Sequence, residues 1–238
     1  RLAALLAAVT MLAGCAAPAE RPVTAETDEQ AADCYVALTF DDGPSPTCTP
    51  ILLDGLRERG VRATFFLIGS KIDGQEALVR RMQTEGHQIG NHSYDHAMLQ
   101  KTDTDSALRD LARCDAKLQQ LLGEGTYWVR PPYGLISQAE LSVIRAPLLH
   151  WSVDTRDWEL RDADKVLDII LREADDGDVI LLHDCYAASV EAALRAIDRL
   201  RARGVRFVTV EELFRIEGVD AQAGVLYKRP GATHPAVG

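Results

Sequence analysis

An alternation narrows the fold of this chain more than any other feature. From Tyr35 onward, short apolar runs at residues 35–40, 62–68, 88–91, 126–129, 148–153, 178–182 and 206–210 are separated by longer stretches with helical spacing. Several of the short runs are continuously apolar, as strands buried on both faces are. The stretches between them carry apolar stripes: Ile51, Leu52, Leu53 and Leu56 within 49–59, and Leu108, Leu111, Leu118, Leu121 and Leu122 within 105–122. A third helix over 190–203 stops at Gly204, since glycine accepts the backbone that ends helices. Strands separated by helices build a parallel sheet or barrel. Seven strands predict an α/β chain folded as a distorted (β/α)7 barrel. In such a barrel, chemistry collects where the strands end, on the C-terminal face.

This alternation does not reach the start of the chain. Arg1 leads into an apolar run over 2–14 that Cys15 closes, the pattern of a secretory signal. Leu12-Ala13-Gly14-Cys15 resembles a bacterial lipobox, which would make Cys15 a lipidated first residue. A buried helix and an uncleaved anchor are the competing readings of the same run. Residues 16–33 have almost no large apolar side chains and read as a flexible tether. The expected organisation is thus a signal segment over 1–15, the tether, and a single catalytic domain over 34–238. The protein is expected outside the cytoplasmic membrane as a monomer, touching lipid only through its N-terminal segment.

A hydrophobic share of 47% with 26% charged residues is the balance of an ordinary globular protein. The net charge of −10 argues against binding nucleic acid or anionic lipid through charge, and against capture of a polyanionic glycan. Beyond Cys15 there are four cysteines, Cys34, Cys48, Cys114 and Cys185, and no CxxC pair. Four cysteines allow three pairings in an exported protein. A Cys48–Cys185 bridge is one reading and four half-buried thiols the other.

Five polar clusters follow five separate strands. The first is Asp41-Asp42-Gly43-Pro44. Two adjacent carboxylates at a strand end are costly to bury unless they bind a metal or move protons. The plain alternative is an acidic surface turn. The second cluster contains His92 and His96. If the backbone there turns helically, both imidazoles share a face and suit one divalent ion. Two histidines and a carboxylate with open positions fit zinc, and also iron, cobalt or nickel. The third is Arg130-Pro131-Pro132-Tyr133-Gly134, where the prolines stiffen the backbone, Gly134 permits close approach and Arg130 can grip an acid bidentately. The fourth runs from Asp154 to Trp158, and the fifth places His183 at the end of an apolar strand. Each of the last three is weak alone: a turn, a core tryptophan, a buried histidine. His87, His150 and His234 read as structural or incidental.

Taken together, TFDDGPS, HSYDH, RPPYG, DTRDW and LLHD, in that order, resemble the five motifs of the polysaccharide deacetylase family (the NodB-homology domain, carbohydrate esterase family 4). The resemblance implies a metal-dependent hydrolase that removes acetyl groups from an N-acetylated glycan, peptidoglycan N-acetylglucosamine in the first place, releasing acetate and free amine. It implies Asp42, His92 and His96 as ligands of one divalent ion, zinc above cobalt or nickel. Asp41 would be the general base, oriented by Arg130, and the backbone N–H of Tyr133 would help hold the oxyanion. His183 would be the general acid, its charge set by Asp157, with Asp154 the second choice for that role. Trp158, Leu181 and Pro132 would shape the acetyl pocket. The family also includes esterases of acetylated xylan and deacetylases of chitin fragments. A glycan-binding lipoprotein without activity is the reading from a different class.

Overall fold

In a computed structural model of the protein, which describes residues 34–236, the chain enters the fold on β1 (Cys34–Gly43). Its alternation sorts two environments. Val36, Leu38 and Phe40 pack into the cluster that includes Leu52, Leu53 and Leu56 of the first helix. Ala37 packs with Phe66, Leu149 and Val179, while Thr39 and Asp41 meet Arg130. One side of β1 therefore faces the helices and the other the barrel interior.

After β1 come α1 (Thr49–Arg59), β2 (Thr64–Leu67), α2 (Glu76–Thr84), β3 (Gln88–Asn91), α3 (Thr104–Leu122) and α4 (Gln138–Leu141). Next are β4 (Leu148–Leu149), β5 (Val153–Asp154), α5 (Asp157–Leu160), α6 (Ala163–Glu173) and β6 (Val179–His183). The chain ends with α7 (Ala187–Arg201), β7 (Val205–Phe207), α8 (Val210–Ile216) and the antiparallel pair β8 (Leu226–Arg229) and β9 (Ala232–Thr233). Parallel pairing runs in the order β3-β2-β1-β6-β5, with β7 against the start of β1.

Two predicted strands depart from regularity, and together they account for the distortion. Residues 126–129 contribute only Val129, bridged to Asn91 on one side and Leu148 on the other. Pro131 and Pro132 follow at once, and neither has an N–H to extend a ladder. The predicted strand 148–153 splits in two. Its start pairs with β8 and its end with β6, so the segment changes partner as it crosses the wall. The ring closes through Val129 and this split segment.

The three predicted helices are present as α1, α3 and α7, while α2, α4, α5, α6 and α8 had no predicted counterpart. α1 ends at Gly60 with φ 60°, and α3 is capped by Asp103, whose carboxylate accepts the Ser106 N–H. α7 starts three residues before its predicted position. Residues 206–210 were expected to be all strand, yet α8 begins at Val210. Thr209 and Glu212 form a reciprocal capping box there. Val210, Leu213 and Phe214 then close the barrel floor against Ala37 and Tyr227.

The four cysteines of the described residues are free thiols, so the Cys48–Cys185 bridge is not formed. Cys114 lies fully in the core, its thiol donating to the Leu67 carbonyl. No helix of the described residues is long and apolar enough to cross a membrane. The predicted signal segment and tether lie outside the described residues.

Candidate active site

Asp41 and Asp42 separate because the β1–β2 register breaks between Asp41 and Gly43. Asp42 takes a left-handed backbone, φ 70°, which costs a non-glycine residue about 1–3 kcal/mol. Asp41 stays in the wall, 3% exposed. Arg130, fully buried, donates to Asp41 Oδ1 at 2.7 Å and to Thr39 Oγ1 at 2.8 Å. Its other donors go to the carbonyls of His150 at 2.7 Å and Leu149 at 3.4 Å. The expected bidentate grip on one acid is therefore replaced by a fan of four acceptors. A buried guanidinium needs all of them, because an unmet donor there costs more than a second bond to one carboxylate returns.

His92 and His96 meet, but not on a helix. His92 follows β3 directly, and the chain then folds back through Ser93 and His96, both left-handed at φ 64° and 57°. Asn91 Oδ1 accepts the Ser93 N–H, and Ser93 Oγ accepts the His96 N–H. These side-chain bonds substitute for helical ones. The imidazole centroids lie 5.0 Å apart.

The donor set fits a cation. Asp42 Oδ1 is 3.5 Å from His92 Nε2 and 3.2 Å from His96 Nε2. His92 Nδ1 lies 2.7 Å from the Arg130 carbonyl, which only accepts. The proton therefore sits on Nδ1 and the Nε2 lone pair faces Asp42. This is the outer-shell arrangement that orients a metal-binding imidazole. Asp42 Oδ1 is buried and has no hydrogen-bond partner. A lone pair facing an orphaned carboxylate oxygen is stable only with a positive charge between them. The ligand atoms of all three residues lie within 4.8 Å of one another.

In the third cluster Tyr133 is left-handed, φ 61°, and its ring stands 4.9 Å from that of His96. Gly134 is needed for packing: a Cβ there would fall 2.5 Å from His150 Nε2 and 2.8 Å from the Trp151 ring. Pro132, expected to line the pocket, is buried and does not reach the cavity. It sits in the turn that presents Tyr133, which is 53% exposed.

Across the cavity, Asp157 holds His183 through both carboxylate oxygens, at the backbone N–H and at ring Nδ1. Burial pulls the His183 imidazole down, but the Asp157 bond and charge, with Asp41 and Asp42, carry it up to about 9. Asp154 instead accepts the Arg156 N–H at 2.9 Å, supporting the left-handed turn before Asp157. Geometry thus assigns the partner of His183 to Asp157 rather than Asp154.

A cavity of about 510 Å³ joins these groups. Asp41, Asp42, His92, His96, Tyr133, Trp158, Leu181 and His183 line it, as do Asp154, Trp151 and Tyr186. Arg130 and Asp157 stand behind Asp41 and His183. Sequence reasoning missed Trp151 and Tyr186 as lining residues. Both are aromatic and lie within three residues of a motif, which was the available signal.

Comparison with known proteins gives one family. The model described as polysaccharide deacetylase matches residues 28–147, half of the chain. The chain belongs to the polysaccharide deacetylase family. It is 38% identical over 192 residues to a peptidoglycan-N-acetylglucosamine deacetylase, PgdA, of Listeria monocytogenes, covering 81% of this chain and 41% of that protein. The chain thus spans under half the length of this relative. Among solved structures, a deacetylase designated T48, determined with substrate, superposes with a TM-score of 0.78 at 38% identity, covering 83% of this chain and 98% of that one. A family 4 acetyl xylan esterase from Clostridium thermocellum, solved with a cobalt ion, gives 0.78 at 32% identity, covering 82% and 98%.

Within this family member, all six left-handed non-glycine residues of the described chain fall in the motif loops or just beside them: Asp42, Ser93, His96, Tyr133, Arg156 and Arg161. Strain held by surrounding structure is a property of functional loops. Two further histidines, buried His87 and half-buried His150, do not line the cavity. Burial lowers both His87 and His150 to about 4, so they stay neutral. His87 Nδ1 accepts the Ala63 N–H, and His150 stacks on Trp151 at 3.8 Å.

Proposed function

We propose that the protein removes acetyl groups from N-acetylglucosamine of a cell-wall glycan, peptidoglycan in the first place, releasing acetate and a free amine. The observation that carries this reading is the facing arrangement of the Asp42–His92–His96 set and the Asp157-held His183 across one cavity.

Asp42, His92 and His96 would hold one divalent ion, zinc in our reading, with cobalt or nickel able to replace it. Such an ion supplies Lewis acidity, polarising a carbonyl and acidifying water. Asp41 Oδ2, 3.7 Å from His92 Nε2, stands where a carboxylate can accept the proton of an attacking water. Arg130 holds Asp41 in place by donating to its Oδ1 at 2.7 Å. The N–H of Tyr133 is assigned to the oxyanion, and one such donor contributes about 2.7–4 kcal/mol. An amine is a poor leaving group until protonated. His183, cationic near neutral pH through Asp157, donates that proton. The acetyl methyl rests against Trp158 and Leu181, which line the same cavity.

We further read the N-terminal segment as an export signal with Cys15 as a lipid-anchored residue, and the protein as a monomer at the outer face of the cytoplasmic membrane. Labelling with a clickable fatty acid, lost in Cys15→Ser, tests the anchor.

The substrate is tested by incubating the purified chain with peptidoglycan, N-acetylated chitooligosaccharides and acetylated xylan, measuring acetate and free amine. Highest kcat/KM on peptidoglycan is expected. Preference for xylan would replace the amide reading with an ester one. Acetate release from none of them, with unimpaired cellular function in Asp41→Asn, would favour a binding protein.

A further inference from the structure

We infer that Tyr186 is a glycan-specificity residue of this site and that Arg161 is its positioning residue. The two form a clasp that joins the fourth and fifth motif loops at the cavity mouth. The inference rests on the proposed glycan substrate but concerns a part of the cavity that the reaction itself does not use.

The observations are geometric. Tyr186 lies three residues beyond His183 at the start of α7 and lines the same cavity as Trp158 and His183. The His183 and Tyr186 ring centroids are 5.9 Å apart, so the tyrosine flanks the acid without bonding it. Arg161 sits on the other loop, three residues past Trp158. Its guanidinium carbon lies 3.4 Å above the Tyr186 ring centroid, and its Nε donates to the Trp158 carbonyl at 2.6 Å. One side chain therefore grips the backbone of one aromatic wall and the face of the other.

Arg161 is exposed and ends α5 with a left-handed backbone, φ 49° and ψ 30°, its N–H donating to the Asp157 carbonyl, which turns its side chain back toward Tyr186. Trp158 is 50% exposed, so the wall that Arg161 steadies borders solvent rather than core. Exposed aromatics around a polar cavity match the apolar faces of sugar rings, and their hydroxyls match the carboxylate of Asp154 beside them. Burial and the neighbouring Cys185 push the Tyr186 phenol up to about 12, so it remains a neutral hydrogen-bonding group at working pH. We assign Tyr186 to the sugar unit next to the one being deacetylated. That contact would be absent with a small acetyl ester.

The test compares wild type with Tyr186→Ala, Tyr186→Phe, Arg161→Ala and Arg161→Lys on two substrates. One is an N-acetylglucosamine oligomer several units long; the other is an aryl acetate. Calorimetric binding of the oligomer is measured in parallel, independent of turnover. Tyr186→Ala should raise KM and Kd for the oligomer by about 5- to 10-fold, the size of one aromatic contact. Its kcat/KM on the aryl acetate should stay within about 2-fold, and Tyr186→Phe should keep most of the affinity because the ring remains. Arg161→Ala should give a smaller rise in the same direction, partly restored by Arg161→Lys through the cation–ring contact. Equal loss on both substrates would overturn the inference, showing that Tyr186 supports the reaction centre. Unchanged oligomer binding in Tyr186→Ala would overturn it too. A wild-type chain that binds the oligomer but releases no acetate would refute the proposed reaction and leave the clasp standing on its binding data.

Discussion

Asp157 grips His183 twice, its Oδ2 accepting the backbone N–H at 2.7 Å and its Oδ1 lying 2.8 Å from ring Nδ1. The carboxylate is 1% exposed and also accepts the Trp158 N–H at 2.9 Å. A single buried charge thus fixes the rotamer, the tautomer and the charge of the proposed acid.

A pH dependence follows from that grip. His183 is carried from 6.5 up to about 9, so the acid should stay protonated through neutral pH and the alkaline limb of kcat should fall near pH 9. In Asp157→Asn the burial penalty is opposed only by Asp41 and Asp42, and the limb should move to lower pH. At pH 7.5 kcat should drop about 100-fold or more, the usual contribution of a general acid. The raised value also means that proton binding stabilises the fold, fully below about pH 6.5 and not at all above about pH 9. Thermal melts across that range should show the wild type losing stability that Asp157→Asn never had.

The Arg130–Asp41 pair separates stability from chemistry. Arg130→Met alone leaves Asp41 buried without its partner and should cost about 3–5 kcal/mol. In a domain of this size that lowers Tm by roughly 10 °C. Combining Arg130→Met with Asp41→Asn should recover most of the stability and none of the activity. Denaturant melts and acetate release on the same preparations check both halves.

Gly43 lies between the acidic pair and Pro44, where a Cβ would stand 2.6 Å from both oxygens of Asp184. Asp184 cannot retreat, being fully buried and bonded to Thr49 Oγ1 at 2.5 Å. Gly43→Ala should therefore displace the Asp41–Asp42 turn more than it unfolds the chain. The expected result is a loss of about 1–3 kcal/mol together with a larger loss of zinc affinity, read by titration with a metal indicator. Undiminished affinity would show the turn to be more compliant than its packing indicates.

Much of this architecture was legible in the sequence because each strand is a short apolar run with its polar cluster at its end. β1 illustrates it: Leu38 and Phe40 alternate with Thr39 and Asp41, and the two sets separate into core and site. Backbone conformation was not legible. Nothing in Asn-His-Ser-Tyr-Asp-His announces two left-handed residues, so the histidine spacing suggested a helical turn that the chain does not make. The change of partner within 148–153 was hidden for a similar reason, since Leu148, Leu149 and Val153 read as one apolar run. Trp151 and Tyr186 were within reach, beside motifs already singled out. Only the closing of the ring shows that they share a cavity with His183.

The central claim is that Asp42, His92 and His96 hold the ion on which acetate release depends. The most direct measurement is acetate release from an N-acetylglucosamine oligomer by the purified chain, before chelation, after it, and after one equivalent of zinc is restored. Wild type should lose activity on chelation and regain it at one equivalent, while Asp42→Ala should bind zinc on the order of 100-fold more weakly or worse and stay inactive throughout. Acetate release that survives chelation, or an Asp42→Ala variant that binds zinc as wild type does, would contradict it.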